Sequence, residues 1–284
     1  MTTGFTDVRP TAADSGRSAT ANVAHQERSG GQIDPVRVNG IASDALTALH
    51  DVIRKHKVTY AEYDALKTWL IRVGEQGEWP LLLDLFIEHV VEEVANANRK
   101  GAVGTVEGPF YVPGAPESAS KATLSTLDGD GGTPLLLHGT VTDLDGTPIE
   151  GALIELWHAD THGYYSQFAQ GIPQWNHRGA IRTGADGRYT FQTIEPAPYQ
   201  VPTDGACGAL IAAAGWHAWR PAHLHVKAST PGRQLLTTQL YFDGDEYLNT
   251  DIAHAVKPEL IVYPTPAASG TGRQVTYDFA LDPA

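Results

Sequence analysis

His223 and His225 stand two residues apart in the run Arg220-Pro221-Ala222-His223-Leu224-His225. In a β-strand, alternate side chains share a face, so both imidazoles project to one side with Cα atoms roughly 6.5–7 Å apart. That spacing lets two ring nitrogens reach one metal ion. Upstream lie Tyr164 and Tyr165, in Gly163-Tyr164-Tyr165-Ser166, and Tyr199, in Pro196-Ala197-Pro198-Tyr199. Two neutral imidazoles with two phenolates make a hard, anionic donor set. A phenol has a reference pKa of about 10 and needs a strong Lewis acid to ionise near neutrality. Two phenolates and one hydroxide balance a trivalent charge. That favours Fe(III) over Zn(II), whose protein sites prefer Cys, His and carboxylate. Each part has a plainer reading when taken alone: His-x-His pairs also occur as packed or solvent-facing histidines, and tyrosines as core or rim aromatics. Tyr199 fits the plainer reading less well, because a Pro-rich loop has little packing need for a large side chain.

The elements that must position these residues fall into two blocks. Ile41, Ala45, Leu49, Val52 and Ile53 recur at helical spacing, and Thr59-Tyr60-Ala61-Glu62 has the form of a capping box. Tyr63, Leu66, Leu70 and Val73 continue the helical pattern. A third helix is predicted over Leu81–Val94, with Pro80 in its first turn. Its apolar surface is too broad to leave in water, so these helices must pack on a second domain or another subunit. From about Thr105 the texture changes to short β runs. Strands are predicted over Leu135–Thr142, Ala152–His158, Arg188–Ile194, Ala222–Ala228, Leu236–Phe242 and Val275–Ala280, with Asp145-Gly146 and Asp186-Gly187 as turns. Val112–Pro134 shows no pattern and reads as a long surface loop. The fold class is mainly β: an antiparallel β-sandwich over 105–284, preceded by a helical domain over 35–104 and a disordered tail over 1–34.

The bulk numbers narrow the function classes. Twenty Lys and Arg against 33 Asp and Glu give a net charge of −13, which argues against nucleic acid or an anionic membrane surface as a partner. No apolar stretch is long enough to span a membrane. The one cysteine, Cys207, excludes an internal disulfide and reads as a small buried hydrophobe. Together with a tail that lacks an apolar signal segment, it points to a cytoplasmic protein. The Asp143/Asp145 and Asp243/Asp245 pairs read as turn carboxylates, since their spacing is wrong for a calcium loop. His158 sits in a strand expected near the site, where a supporting role is open to it.

Five stretches, in order, carry a family resemblance. They are Val106-Glu107-Gly108-Pro109-Phe110-Tyr111-Val112-Pro113, Glu155-Leu156-Trp157-His158-Ala159-Asp160, Pro198-Tyr199-Gln200-Val201-Pro202-Thr203-Asp204-Gly205, the Arg-Pro-Ala-His-Leu-His run, and Leu236-Thr237-Thr238-Gln239-Leu240-Tyr241-Phe242. From about Ile41 to about Tyr263 the chain resembles the intradiol ring-cleaving dioxygenases, most closely the actinobacterial catechol 1,2-dioxygenases. One departure is Ala206-Cys207, where relatives often have Pro-Thr; it touches no expected ligand.

The resemblance implies one non-haem Fe(III) per subunit, held by Tyr165, Tyr199, His223 and His225. Within the tyrosine pair it selects Tyr165, the residue directly before the small polar one. It places Arg220 beside the bound ring, where a fixed cation favours a carbanion-like state, and has Gln239 orient the same group. Val106, Pro109, Phe110, Ile252 and Ala253 would line the ring pocket, and Tyr199 is the ligand expected to leave when substrate binds. The implied reaction is cleavage of catechol by dioxygen to cis,cis-muconate. Trp216-His217-Ala218-Trp219 and the helical match lean toward plain catechol; chlorocatechol and hydroxyquinol are the alternatives. A homodimer through the helical domain and a phospholipid at its interface are implied as well. Two rival readings are a zinc hydrolase on His223 and His225, which lacks a usual third ligand, and a non-catalytic β-sandwich binding module.

Overall fold

The structure, a computed structural model, describes residues 34–284. The tail expected over 1–34 lies outside these residues except for Asp34, which caps the first helix by accepting from Val36 N at 2.9 Å. Four helices follow: α1 (Pro35–His56), α2 (Tyr60–Glu75), α3 (Trp79–Phe86) and α4 (Glu88–Asn96). The capping box at α2 forms as expected, with Thr59 N donating to Glu62 Oε2 at 2.7 Å and Glu62 N donating to Thr59 Oγ1 at 3.3 Å. The single helix expected over Leu81–Val94 is two, broken at Ile87, whose φ of −123° leaves the helical region. At the break, the Glu88 carboxylate turns to accept the backbone amides of Glu107 and Gly108 at 3.0 and 3.4 Å.

The β part comprises β1 (Glu117–Ser118), β2 (Lys121–Thr123), β3 (Pro134–Thr142), β4 (Leu153–His158), β5 (Arg178–Arg182), β6 (Arg188–Ile194) and β7 (Tyr199–Gln200). After helix α5 (Ala206–Ala214) come β8 (Trp219–Arg220), β9 (His223–Ser229), β10 (Leu236–Phe242), β11 (Ile261–Val262), β12 (Thr265–Pro266), β13 (Arg273–Thr276) and β14 (Phe279–Ala280). One sheet has the order β1-β5-β4-β9-β10-β11; the other is β12-β13-β3-β6-β2, with β14 also pairing β3; β7 and β8 form a separate ribbon. The central pairs are antiparallel, as expected. The short outer strands β1, β2, β11, β13 and β14 join in parallel, because long connections return them to the sheets in the same direction as their neighbours.

Alternation assigns the faces of the first sheet. Ile154, Leu156, Leu224, Val226 and Leu240 point one way and are buried, and His158 on that face reaches Thr193 Oγ1 of β6 at 2.7 Å. That face is therefore the interior of the sandwich. His223, His225 and Lys227 point the other way, and they too are buried, beneath segment 105–113 and the loops around the site. A sheet covered on both sides explains why β9 is buried at every residue but its last.

One further expectation needs correction, and two elements were not anticipated. Val112–Pro134 is not patternless, since β1 and β2 form within it. Strand β5 escaped notice because Arg-Gly-Ala-Ile-Arg has charged ends and no clean alternation. Helix α5 escaped because Ala-Cys-Gly-Ala-Leu-Ile-Ala-Ala-Ala is apolar all round, so it has no helical stripe to detect. Gln76 Oε1 and Glu78 Oε2 accept the first α5 amides, of Ala206 and Cys207, both at 2.8 Å, which ties the helical part to the sandwich. Cys207 is buried, and burial together with Glu78 pushes its thiol up to about 12, in keeping with a packing role.

Candidate metal centre

Strand β9 sets the site. Its register with β10 places Gln239 opposite His225 and Tyr241 opposite His223, and its register with β4 places Trp157 opposite His225. Trp157 stacks flat on the His225 ring, with centroids 4.8 Å apart and planes 9° apart. His223 is fixed from its other end, its Nδ1 lying 2.7 Å from Pro221 O. A carbonyl only accepts, so the proton sits on Nδ1 and Nε2 is left as a lone-pair donor for a metal. The two Nε2 atoms lie 3.1 Å apart.

Tyr165 completes the cluster. Its Oη lies 3.0 Å from His225 Nε2 and 3.4 Å from His223 Nε2. Its ring stacks on Phe110 with centroids 4.4 Å apart. The neighbouring Tyr164 is half-buried. The loop that aims Tyr165 is knotted by Asp160, whose Oδ1 accepts the amides of His162 and Tyr164 at 2.8 and 3.0 Å. Gly163 within it has φ +84°, and a Cβ there would meet Tyr199 Cβ at 2.6 Å. Tyr199 reaches the site from β7, which pairs with β8 so that Tyr199 faces Arg220. Its ring centroid is 5.5 Å from that of Tyr165 and 5.6 Å from that of His223.

Arg220 is buried and held from several sides. Nε and Nη2 form a two-pronged ion pair with Asp251 at 3.0 and 3.1 Å, and Nη2 also reaches Gln239 Oε1 at 2.9 Å. Nη1 lies 3.3 Å from His223 Nε2. Gln239 Nε2 donates to Val106 O at 2.7 Å, so one amide links the arginine to the pocket loop. Val106, Phe110, Ile252 and Ala253 are buried and Pro109 is half-buried. Phe110 packs directly on Tyr165, and Gly108 lies against the His225 ring.

The charges agree with a metal centre. Burial first, then Arg220, pushes His223 down to about 3; burial, His223 and Arg220 hold His225 well below its usual value. Burial, and next the Tyr199 hydroxyl, raises Tyr165; burial raises Tyr199 although Arg220 opposes it. Two unprotonated imidazoles and two phenols therefore converge where only an added cation can ionise the phenols. Donor atoms about 2.0–2.1 Å from one ion lie roughly 3 Å from each other, which matches these separations. The residues fit a trivalent metal.

Other groupings are scaffold. Asp130, Asp160 and His162 approach one another as a metal set would. Yet Asp130 is already engaged by His177 Nε2 at 2.7 Å and by Thr161, and Asp160 by the Tyr165 loop. His158 faces the sandwich interior, away from His225, so the supporting role open to it is not realised by contact. Asp143 accepts from Asp145 N and Thr147 N, a turn carboxylate as expected. A hollow of about 710 Å³ on the second sheet contains none of the expected site residues.

Residues 36–103 match a family model described as Catechol dioxygenase N terminus, and residues 106–283 match one described as Dioxygenase. The chain belongs to the intradiol ring-cleavage dioxygenases. Among relatives of this family, a chlorocatechol 1,2-dioxygenase of Rhodococcus opacus is 39% identical over 229 residues, covering 80% of this chain and 89% of that one. A catechol 1,2-dioxygenase of Acinetobacter baylyi is 37% identical, covering 80% and 76%. The solved 3-chlorocatechol 1,2-dioxygenase of Rhodococcus opacus superposes with a TM-score of 0.84 at 42% identity, covering 88% of this chain and all of that one. Ring cleavage of catechols is thus the reaction class of this intradiol dioxygenase, and the non-catalytic module is set aside.

Two residues of the site were missed from sequence. Asp251 is buried against Arg220 and accepts the amides of Ala253 and Ala255 at 3.1 and 3.2 Å. Its signal was a lone carboxylate directly before the apolar Ile252-Ala253. Tyr241 donates to Gln239 Oε1 at 2.7 Å, and strand alternation from Gln239 already pointed to it.

Proposed function

We propose that this chain is an Fe(III)-dependent dioxygenase that opens catechol between its hydroxyl-bearing carbons, giving cis,cis-muconate with both atoms of dioxygen incorporated. The observation that carries the reading is the convergence of Tyr165 Oη, His223 Nε2 and His225 Nε2 within 3.4 Å of one another, flanked by Tyr199 and Arg220. Tyr165, Tyr199, His223 and His225 would hold the iron. Bound Fe(III) would supply covalency with the catechol dianion, giving the ring the partial radical character that lets it react with dioxygen, a reaction otherwise slowed by spin.

The protein's own groups do the rest. Tyr199 Oη, a phenolate when a metal holds it and beside a guanidinium, would take up one substrate hydroxyl proton as the catechol becomes a dianion, the second proton going to the hydroxide that completes the charge balance. Tyr199 suits that mobile role better than Tyr165: it sits on a two-residue strand beside a hollow of about 300 Å³, whereas Tyr165 is stacked on Phe110. Arg220, fixed by Asp251 and Gln239, presents a permanent cation where negative charge grows on the ring. Phe110, Val106, Ile252 and Ala253 exclude water and hold the ring plane.

Chlorinated catechol is the second reading, supported by the names of the Rhodococcus opacus relatives. Trp216 and His217 are exposed, and Trp219 stacks on Tyr247 and lines the same hollow as Tyr199, so only one end of that run borders the ligand cluster and it lends plain catechol less weight than expected. Hydroxyquinol remains the third substrate, because a hydroxyquinol 1,2-dioxygenase of Pseudomonas putida also superposes, with a TM-score of 0.81 at 28% identity. The kcat/KM values for catechol, 3-chlorocatechol and hydroxyquinol decide: catechol highest supports the first reading, and either other substrate highest replaces it.

The exposed apolar stripe of α1 supports a homodimer through the helical domain. No helix among the described residues is long and apolar enough to cross a membrane, and the acidic chain with its lone buried cysteine supports a cytoplasmic setting. The phospholipid implied by resemblance gains no support from the described residues.

A further inference from the structure

Arg178 is a buried cation whose counter-charge is missing. It opens β5, and its cross-strand partner is Trp157, whose other neighbour is His225. Cross-strand partners share a face, so Arg178, Trp157, His225 and Gln239 form one row on the ligand side of the sheet. The guanidinium fastens itself to the residue after Tyr165: Nε donates to Ser166 Oγ at 2.7 Å and Nη2 to Ser166 O at 3.1 Å. It stands 5.7 Å over the Phe168 ring, and Nη1 is buried without a partner.

The other buried cations near the site are paired, Arg220 with Asp251 and Lys227 with Glu107. Among the described residues, no carboxylate forms an ion pair with Arg178, though the residue is only 3% exposed. An uncompensated buried charge is costly, and proteins keep one where an anion will stand beside it. Burial holds the Arg178 guanidinium below its usual basicity, and Tyr165, on the turn to which it is fastened, opposes that effect.

We propose that Arg178 is a positioning residue for a Tyr165 phenolate: anchored at Ser166 behind the ligand, it sets an unpaired charge that balances the oxygen that binds the metal. This rests on the iron reading above. The plainer alternative is a loop fastener whose charge is incidental. A nearby cation lowers the energy of the phenolate donor orbitals, so removing it moves the phenolate-to-iron absorption to longer wavelength. Losing a supporting partner of a metal ligand also weakens metal binding about 10–100-fold.

The test compares visible spectra and iron affinity, by chelator competition, for iron-loaded wild type, Arg178→Gln, Arg178→Lys and Ser166→Ala. The expected result is a band at longer wavelength and weaker iron binding in Arg178→Gln alone, with the Lys and Ala variants keeping the wild-type band. An unmoved band in Arg178→Gln, or an equal shift in Ser166→Ala, overturns the inference while leaving the iron reading intact. If Arg178→Gln does not fold, Arg178→Lys decides: a wild-type band supports the role of charge, and a displaced band removes it. Iron-loaded wild type with no such band removes the iron reading and this inference together.

Discussion

At the residue scale, the site works because Arg220, Gln239 and Asp251 are held by fixed partners before substrate arrives. Burial opposes charge on Arg220 and on Asp251, and their attraction together with the surrounding hydrogen bonds and charges keeps both ionised. Removing one partner of a buried pair strands the other. Asp251→Asn is therefore expected to destabilise the fold by about 3–5 kcal/mol in denaturant titration and to lower kcat, because Arg220 loses its aim; unchanged stability would show that the pair is not buried together. Tyr165→Phe is expected to bind iron poorly and lose its colour, whereas Tyr199→Phe retains iron and loses turnover. Equal iron loss in both would contradict the division of roles drawn from their packing. The donors were legible in sequence because imidazoles at a strand spacing and tyrosines near Gly and Pro carry chemistry in their types. Asp251 was not, since its meaning lies in a contact with Arg220, 31 residues away, that only the folded chain makes.

At the element scale, the ligands are placed by three short pieces of backbone: strand β9, the β7–β8 ribbon and the loop knotted at Asp160. The loop tolerates no side chain at Gly163, where φ is +84° and a Cβ would press on Tyr199. Gly163→Ala is expected to displace Tyr199 and reduce kcat about tenfold or more, while thermal stability falls by only a few degrees; full activity would show that the loop yields freely. Strands β9 and β10 were readable from sequence, as their alternation survives on a doubly buried sheet. The β7–β8 ribbon was not, because two-residue strands have no period, and α5 has no polar face to mark it.

At the scale of the whole molecule, the helical part leaves apolar surface uncovered. Ile41, Leu49 and Val52 of α1 are 58%, 47% and 51% exposed, and α1 contributes no buried residue. A second copy covering that stripe is the arrangement the sequence pattern anticipates, and Leu49→Asp is expected to shift sedimentation from dimer to monomer; a wild-type monomer would refute it. The buried neutral histidines also set the response to acid. His158, His223 and His225 all have lowered folded-state values, His223 at about 3, against about 6.5 in an unfolded chain. Between those values the unfolded state binds more protons, so stability is full above about pH 6.5 and is lost as pH falls. Metal-free protein should lose up to about 1.4 kcal/mol per pH unit for each such histidine below pH 6.5, measured by urea titration; a flat profile from pH 7 to 5 would contradict their burial as neutral rings. The central claim, Fe(III) held by tyrosinate, is tested most directly by the visible spectrum of iron-loaded protein before and after catechol is added without oxygen. A broad tyrosinate-to-iron band that moves to longer wavelength on catechol binding is the predicted result, and a colourless protein with confirmed iron content would contradict the account.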